Sequence, residues 1–175
     1  LQYHVFCLST AESHDRVFFI EVMGRNRGFI ALAVGIAGGA DEILIPEEDT
    51  DLQILTDSLR GHYEAGKRSS LVVVAEGDDP GGVHAIAEKV GAMLSLEYRV
   101  VSLGHVQRGG SPTANDRILA SELGAAAANA LADGVDGCMM GKIGSELVAT
   151  PLEETWTKTK ELDTRLLRML RILAI

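Results

Sequence analysis

The sequence is poor in cysteine, in long apolar runs and in positive charge. Its two cysteines, Cys7 and Cys138, lie far apart and without the spacing of metal ligands, so we expect no disulfide framework. No apolar run approaches the roughly 20 residues that a membrane span needs, and the first residues lack the basic and apolar regions of a secretory signal. These absences predict a soluble, cytoplasmic protein that does not contact a membrane.

The charge balance argues against a further class of partner. Lysine and arginine number 16 against 25 acidic residues, a formal net charge of -9, which is unfavourable for a nucleic-acid-binding surface. Hydrophobic residues make up 46% of the 175 residues. The chain is therefore long enough for one substantial core and part of a second domain.

Four apolar stretches alternate with helical patterns in the first part of the chain. Strands are predicted at 17–23, 41–45, 71–75 and 98–103, and helices at 29–37, 51–65 and 83–94. Strands that are apolar throughout, with helices between them, indicate a mainly parallel sheet covered on both faces. The predicted fold class is α/β, a three-layer αβα arrangement.

The last third of the chain has a different pattern. An alanine-rich helix is predicted over 115–131 and an irregular, glycine-bearing segment over 133–144. Residues 152–175 predict one or two amphipathic helices with an apolar stripe. The residues of that stripe are Leu162, Leu166, Leu170 and Leu173. We therefore expect an α-helical C-terminal portion beside the sheet.

Three turns follow the carboxyl ends of predicted strands, where open α/β sheets bind ligands. They begin at Gly24, Glu76 and Gly104. In the third turn, His105 and Arg108, with Arg99 upstream, favour a phosphate site over a structural histidine. In the first turn, Arg25 is suited to bind a phosphoryl oxygen beside free helical amides, although a glycine after a strand is more often only a tight turn.

Other charged residues each have two interpretations. Glu76 fits a sugar hydroxyl or a solvated turn, and Arg16 is most simply a surface charge. The acidic loop 47–51 suits a metal site or, more commonly, a solvated loop that caps a helix. Lys67 and Arg68 mark a second anion site or, by default, face solvent at a helix C-terminus.

The stretch from Arg99 to Arg117 carries the pattern Arg-x4-Gly-His-x-Gln-Arg-Gly-Gly-x5-Asp-Arg. Together with Phe19 to Gly28 and the turn Gly38-Gly39-Ala40-Asp41, it resembles the 6-phosphofructokinase family from about residue 14 to the C-terminus. The resemblance implies a phosphofructokinase-like fold. It also implies transfer of a phosphoryl group from ATP, or in some relatives pyrophosphate, to the 1-hydroxyl of fructose 6-phosphate in glycolysis.

The resemblance implies roles for six residues of an acceptor site: Met23, Gly24, Arg25, Glu76, His105 and Arg108. His105 and Arg108 would hold the 6-phosphate of the sugar. The backbone of Met23 and Gly24 would face the sugar, and Glu76 would bind a ring hydroxyl. Arg25 would stabilise charge on the moving phosphoryl group.

Further roles concern neighbouring subunits. Arg16 and Arg99 would reach the 6-phosphate in a neighbour's site, which implies a homo-oligomer, a dimer or a tetramer. An effector site would include Asp41, Lys67 and Arg68. Leu8 and Ala65 stand where basic residues would help such a site, which argues against effector control.

The family's nucleotide-binding patterns are missing from this sequence. It contains no glycine-rich Gly-Gly-Asp-x-Pro-Gly loop and no Thr-Ile-Asp segment with the general-base aspartate. The resemblance therefore implies that ATP or pyrophosphate and Mg2+ bind mainly in a half of the enzyme outside this sequence, with no metal site within it. We expect the chain alone to be catalytically silent.

Four segments are expected on this basis. They are a poorly matched segment 1–13, a sugar-phosphate-binding α/β domain 14–105, a helical segment 106–151 that returns to the nucleotide-binding domain, and C-terminal helices 152–175 that pack on the α/β domain. Two alternative functions remain: a non-catalytic module that binds a sugar phosphate, and a Rossmann-type oxidoreductase. No Gly-x-Gly-x-x-Gly follows any predicted strand, which counts against the oxidoreductase.

Overall fold

The computed structural model describes residues 16–77, 81–163 and 165–173. Contacts divide the chain into two compact units. The first contains residues 1–109 and 162–175, and the second contains residues 110–161. The segment 1–13, for which a poor match was expected, lies outside the described residues, as does Leu8.

A four-stranded parallel sheet forms the centre of the first unit. Its strands are β1 (Arg16–Val22), β2 (Glu42–Leu44), β3 (Ser69–Ala75) and β4 (Tyr98–Ser102). They lie in the order β2-β3-β1-β4. Every pairing is parallel, with Val22 opposite Ala75 and Glu21 opposite Ser102. The predicted parallel sheet is confirmed.

The described residues form helices in both units. They are α1 (Phe29–Ala37), α2 (Leu52–Glu64), α3 (Gly82–Leu94), α4 (Ala114–Ala132), α5 (Glu154–Thr157) and α6 (Arg165–Leu173). No helix among the described residues is both long enough and apolar enough to span a bilayer.

The central strands β1 and β3 are buried on both faces. Alternate side chains of a strand point to opposite faces. Phe18 accordingly packs in one cluster with Leu32 of α1, and Phe19 packs in the other with Leu59 of α2 and Ile86 of α3. Burial on both faces explains why these strands are apolar throughout, and the three-layer αβα arrangement is confirmed.

The C-terminal helix α6 joins the layer of α1. Leu167 is 7% exposed within that cluster, and Leu162 and Leu166 pack against it partly buried. The predicted leucine stripe included Leu162 and Leu166 but omitted Leu167. Helical spacing selected only one of the two neighbours Leu166 and Leu167, whereas both pack against this cluster. The side chains of Leu170 and Leu173 lie outside the described residues.

The second unit contains α4, a β-hairpin and α5. Strand β5 (Cys138–Ile143) pairs antiparallel with β6 (Glu146–Pro151). The expectations of an irregular segment over 133–144 and of a helical segment up to residue 151 were therefore wrong. Because neither strand contains a buried residue, the alternation of apolar and polar residues that marks a half-buried strand is weak here.

The hairpin is tied to α4 by an ion pair. The Lys142 ammonium lies 2.5 Å from a carboxylate oxygen of Glu122. No residue of 110–161, all of which are described, is buried. The second unit therefore has no hydrophobic core of its own.

Replacement of Leu167 tests the packing of α6. We expect Leu167→Ala to lower the free energy of unfolding by about 2–5 kcal/mol, because it leaves a cavity in the core. Ile172→Ala is the control on the same helix, since Ile172 is 69% exposed, and should change it by less than about 0.5 kcal/mol. Urea unfolding followed by circular dichroism measures both values. Equal effects of the two substitutions would contradict the described packing.

Candidate functional site

The turns after β1, β3 and β4 meet at one cavity. Its volume is about 520 Å³, and its lining residues are Met23, Gly24, Arg25, Ile30, Glu76, His105, Gln107 and Arg108. The three strands are neighbours in the sheet, so their carboxyl ends open onto the same crevice. The structure thus brings together all six residues that the resemblance assigns to an acceptor site.

Backbone hydrogen bonds extend the sheet beyond the strand ends. The N–H of Glu76 donates to the carbonyl of Val22 at 2.8 Å, and the N–H of Leu103 donates to the carbonyl of Glu21 at 3.1 Å. These two bonds hold the residues that leave β3 and β4 on either side of the residues that leave β1. The side chain of Glu76 is exposed at the cavity, so its carboxylate carries no burial cost.

A 3-10 turn, Gly104–Arg108, carries the two basic residues that follow β4. His105 and Arg108 are both exposed and both line the cavity. Gln107 ties this turn to the end of β1. Its Oε1 accepts the N–H of Met23 at 3.3 Å, and its Nε2 donates to the carbonyl of Gly104 at 3.3 Å. The N–H of Met23 is therefore bonded within the protein rather than left open for a sugar.

No role was predicted for Gln107, although the residue is part of the quoted pattern. Its partner Met23 is 84 positions away, and a contact over that separation leaves no local signal in a single sequence. Ile30, at the start of α1, also lines the cavity and was not singled out.

The turn that carries Arg25 is closed by the N–H of Arg27, which donates to the carbonyl of Gly24 at 2.9 Å. Free helical amides were predicted here, and that expectation was wrong for Gly28. Its N–H donates to both carboxylate oxygens of Glu47, at 2.9 and 3.0 Å. An internal carboxylate therefore lies where an anionic ligand was expected, at the start of α1.

The acidic loop 47–51 serves helix starts. Besides Glu47 at α1, Asp51 accepts the N–H groups of Gln53 and Ile54 at 2.8 and 3.2 Å and caps α2. Of the two interpretations of this loop, the structure supports helix capping. Within the described ranges, no three His, Cys, Asp or Glu side chains are grouped so as to hold a metal ion.

A smaller cavity of about 200 Å³ adjoins the first and shares Met23, Glu76 and His105 with it. It adds Glu21 and Ser102, whose hydroxyl donates to Glu21 Oε2 at 2.6 Å. Neither residue was singled out from the sequence. The available signal was a lone carboxylate within the otherwise apolar strand β1.

Basic and acidic side chains line the same cavity. Arg25, His105 and Arg108 supply donors for an anionic group, and Glu76 supplies an acceptor for hydroxyl groups. This donor and acceptor set fits a small ligand that carries both a phosphate and hydroxyls.

The lowered carboxylate pKa values belong to residues that do not line this cavity. Hydrogen bonds from the backbone N–H and the hydroxyl of Thr113, at 2.7 and 2.8 Å, lower the pKa of Asp116 at the start of α4. A hydrogen bond from the Arg165 guanidinium lowers the pKa of Asp163 at the start of α6. Both carboxylates therefore serve local helix-start structure.

Arg16 and Arg99 do not line the cavity. Arg16 begins β1, and at about 3.3 Å per residue the seven positions to Met23 span about 23 Å. Its Nε lies 2.8 Å from a carboxylate oxygen of Glu97. Arg99 is exposed and pairs in register with Phe18, towards the amino end of the sheet. Arg99 thus does not contribute to the cluster of charge formed by His105 and Arg108.

The residues of the predicted effector site gather at the amino ends of the strands. Asp41 is 4% exposed, forms an ion pair with Lys67 and accepts the N–H of Leu71 at 2.8 Å. Lys67, Arg68 and Arg16 line a shallow pocket of about 10 Å³. The carboxylate of Asp41 already has two partners within the protein, and the effector role stays a prediction.

Comparison with known proteins identifies the family. The phosphofructokinase family model matches residues 6–131 of this chain. The chain belongs to the phosphofructokinase family. The match begins inside the segment 1–13, for which little similarity was expected. Family membership removes the support for the Rossmann-type oxidoreductase alternative.

Individual relatives agree with the family model. ATP-dependent 6-phosphofructokinase 1 of Thermus thermophilus is 52% identical over 166 residues, which are 95% of this chain and 52% of that protein. ATP-dependent 6-phosphofructokinase of Halothermothrix orenii is 41% identical over 95% of this chain and 53% of that protein. The chain thus spans about half the length of the curated relatives it matches.

Solved structures share the fold. Phosphofructokinase from Saccharomyces cerevisiae aligns with a TM-score of 0.78 and 37% identity, over 89% of this chain and 22% of that chain. Pyrophosphate-dependent phosphofructokinase from Marinobacter aquaeolei aligns with a TM-score of 0.78 and 25% identity, over 94% and 46%. The fold of this chain is therefore shared with solved phosphofructokinases, one of which is named as pyrophosphate-dependent.

Proposed function

We propose that this chain supplies the acceptor half of a cytoplasmic 6-phosphofructokinase, which transfers a phosphoryl group to the 1-hydroxyl of fructose 6-phosphate and forms fructose 1,6-bisphosphate. The observation that carries the proposal is the single cavity at which Arg25, Glu76, His105 and Arg108 meet. A phosphorylated sugar matches this set because the two ends of such a ligand need different partners.

The residues of the cavity divide the work of binding and charge stabilisation. His105 and Arg108, on one 3-10 turn, bind the 6-phosphate, and Glu76 accepts a hydrogen bond from a ring hydroxyl. The backbone at Met23 and Gly24 lies against the sugar, and the N–H of Met23 becomes available to it when the 3.3 Å contact with Gln107 is exchanged. Arg25 stabilises negative charge on the transferred phosphoryl group.

Arg16 and Arg99 act on the site of a second copy of the chain in this proposal. Arg16 lies about 23 Å along β1 from the cavity of its own chain, beyond the reach of an arginine side chain. Both residues lie at or near the amino ends of their strands, whereas the cavity lies at the carboxyl ends. A homo-oligomer, a dimer or a tetramer, would bring them to a neighbour's 6-phosphate.

The donor, ATP or pyrophosphate, binds mainly to a nucleotide half outside this sequence. Mg2+ would neutralise charge on the donor phosphates there. The part played by this chain is to bind and orient the acceptor sugar.

The second unit docks on that nucleotide half in the proposed enzyme. Residues 110–161 have no buried residue, yet they carry exposed apolar side chains such as Ile118, Leu131, Ile143 and Trp156. An apolar surface of this kind needs a covering partner. We assign this role to the nucleotide half, because the relatives are about twice as long as this chain.

Replacement of Arg108 tests the 6-phosphate site. Arg108→Ala removes a charge-assisted contact of about 1.5–3 kcal/mol, so we expect the dissociation constant of fructose 6-phosphate to rise roughly ten- to a hundredfold. Arg27→Ala is the control, because Arg27 is exposed in a neighbouring turn but does not line the cavity. Isothermal titration calorimetry measures both. An unchanged affinity in Arg108→Ala would contradict the assignment.

Reconstitution tests the division of the enzyme into halves. We expect the 175-residue chain alone to form no fructose 1,6-bisphosphate from ATP and fructose 6-phosphate, because it lacks the nucleotide loop and the general base. Addition of the nucleotide half of the Thermus thermophilus relative should restore formation of the product in a coupled assay. Activity of the chain alone would contradict the proposal, and a docked but inactive complex that still binds the sugar would favour the non-catalytic binding module.

Trp156 reports docking of the second unit. It is the sole tryptophan of the sequence and is 70% exposed. We expect the nucleotide half to shift its fluorescence emission to shorter wavelength and to reduce its quenching by acrylamide, since docking removes the indole from water. A Trp156→Phe chain, mixed in the same way, provides the background from the partner's own tryptophans. An unchanged difference spectrum would contradict docking through the surface that carries Trp156.

A further inference from the structure

The backbone of Arg25 adopts a conformation that arginine rarely takes. Its φ is 53°, in the left-handed region, where the Cβ of any residue other than glycine is crowded by its own backbone. In the proposed function, Arg25 is also the cavity residue that stabilises negative charge on the transferred phosphoryl group. A strained backbone persists only where the surrounding structure holds it.

Gly77 is the residue that holds this turn from the other side. It follows Glu76 at the end of β3, and its φ of 93° also lies in the glycine-favoured region. A Cβ built on Gly77 would lie 2.1 Å from the carbonyl oxygen of Arg25 and 3.1 Å from its carbonyl carbon. The carbonyl of Arg25 therefore occupies the space that a side chain at position 77 would need.

We propose that Gly77 is a positioning residue for Arg25. Because it lacks a side chain, the turn after β3 and the turn after β1 approach closely, and the contact fixes the backbone from which the Arg25 guanidinium reaches into the cavity. The same contact sets the distance between Arg25 and Glu76, which in the proposed function act on the phosphoryl group and on a ring hydroxyl of the sugar. The inference rests on that function for the role of the guanidinium, although not for the contact itself.

Gly66 provides a matched control. Its φ is also 93°, but a Cβ built there would meet no atom within 4 Å. Substitutions at Gly66 and Gly77 thus place a side chain at the same positive φ, and only those at Gly77 push against Arg25. Asparagine tolerates the left-handed region better than alanine does, so both Gly→Ala and Gly→Asn variants are made at each position.

The first experiment examines the contact without any ligand. The chain is labelled with 13C,15N-arginine, and the Arg25 signals are identified by their loss in Arg25→Ala. We expect the Cα and Cβ chemical shifts of Arg25 to move away from left-handed values in Gly77→Ala and Gly77→Asn, and to stay unchanged in the two Gly66 variants. Unchanged Arg25 shifts in the Gly77 variants would overturn the proposal. Loss of the fold in both Gly77 variants, with both Gly66 variants folded, would also overturn it, because Gly77 would then be a requirement of folding.

The second experiment examines the consequence for the phosphoryl group. The ratio of the dissociation constants of fructose 6-phosphate and fructose 1,6-bisphosphate reports the contact with the 1-phosphate. We expect the unsubstituted chain to prefer the bisphosphate and this preference to fall roughly ten- to a hundredfold in Arg25→Ala. Gly77→Ala should lower the preference to a similar extent. In both variants, the dissociation constant of fructose 6-phosphate itself should change less than threefold. Gly66→Ala should keep the preference.

A double-substitution cycle separates the two possible failures. If Gly77 acts through Arg25, then Gly77→Ala adds no further loss in the Arg25→Ala background. Additive losses would overturn the inference and leave the proposed function standing. A preference that survives Arg25→Ala, or a lack of binding of either sugar by the unsubstituted chain, would instead contradict the proposed function, while the chemical shifts of Arg25 still decide whether Gly77 holds its backbone.

Discussion

The site depends on the parallel pairing of β1 with a strand on each side. β3 and β4 flank β1 in register, and the pairing continues through the backbone bonds that Glu76 and Leu103 donate to the last residues of β1. Because the three strands end at the same level, each delivers its following turn to one crevice. Gln107 joins the turn after β4 to the end of β1 by a hydrogen bond to Met23. Gly77, which has no side chain, lets the turn after β3 approach the carbonyl of Arg25.

Much of the first unit could be predicted from the sequence. The strand expected at 17–23 is Arg16–Val22, and the helix expected at 29–37 is Phe29–Ala37. Apolar runs between glycines predict such elements well when both faces of a sheet are covered. The rule that ligands lie at the carboxyl ends of parallel strands was enough to expect His105, Glu76 and Arg25 near one another, since it needs only the strand ends and not the strand order.

Features set by distant contacts could not be predicted in this way. The carboxylate of Glu47 accepts the N–H of Gly28 across 19 positions, so the acidic loop serves the start of α1 as well as the expected start of α2. Leu167 is buried by the layer it lies on, which helical spacing alone does not reveal. The hairpin of β5 and β6 has no buried residue, so its sequence lacks the alternation by which half-buried strands are recognised.

The exposed apolar side chains of residues 110–161 bear on the stability of the protein in a cell. A two-stranded hairpin in water is marginally stable by itself, and one ion pair with a helix adds little. Whenever this surface is left uncovered, the unit would open often and display apolar side chains to chaperones and proteases. Covering the surface would then protect the chain from degradation as well as from unfolding.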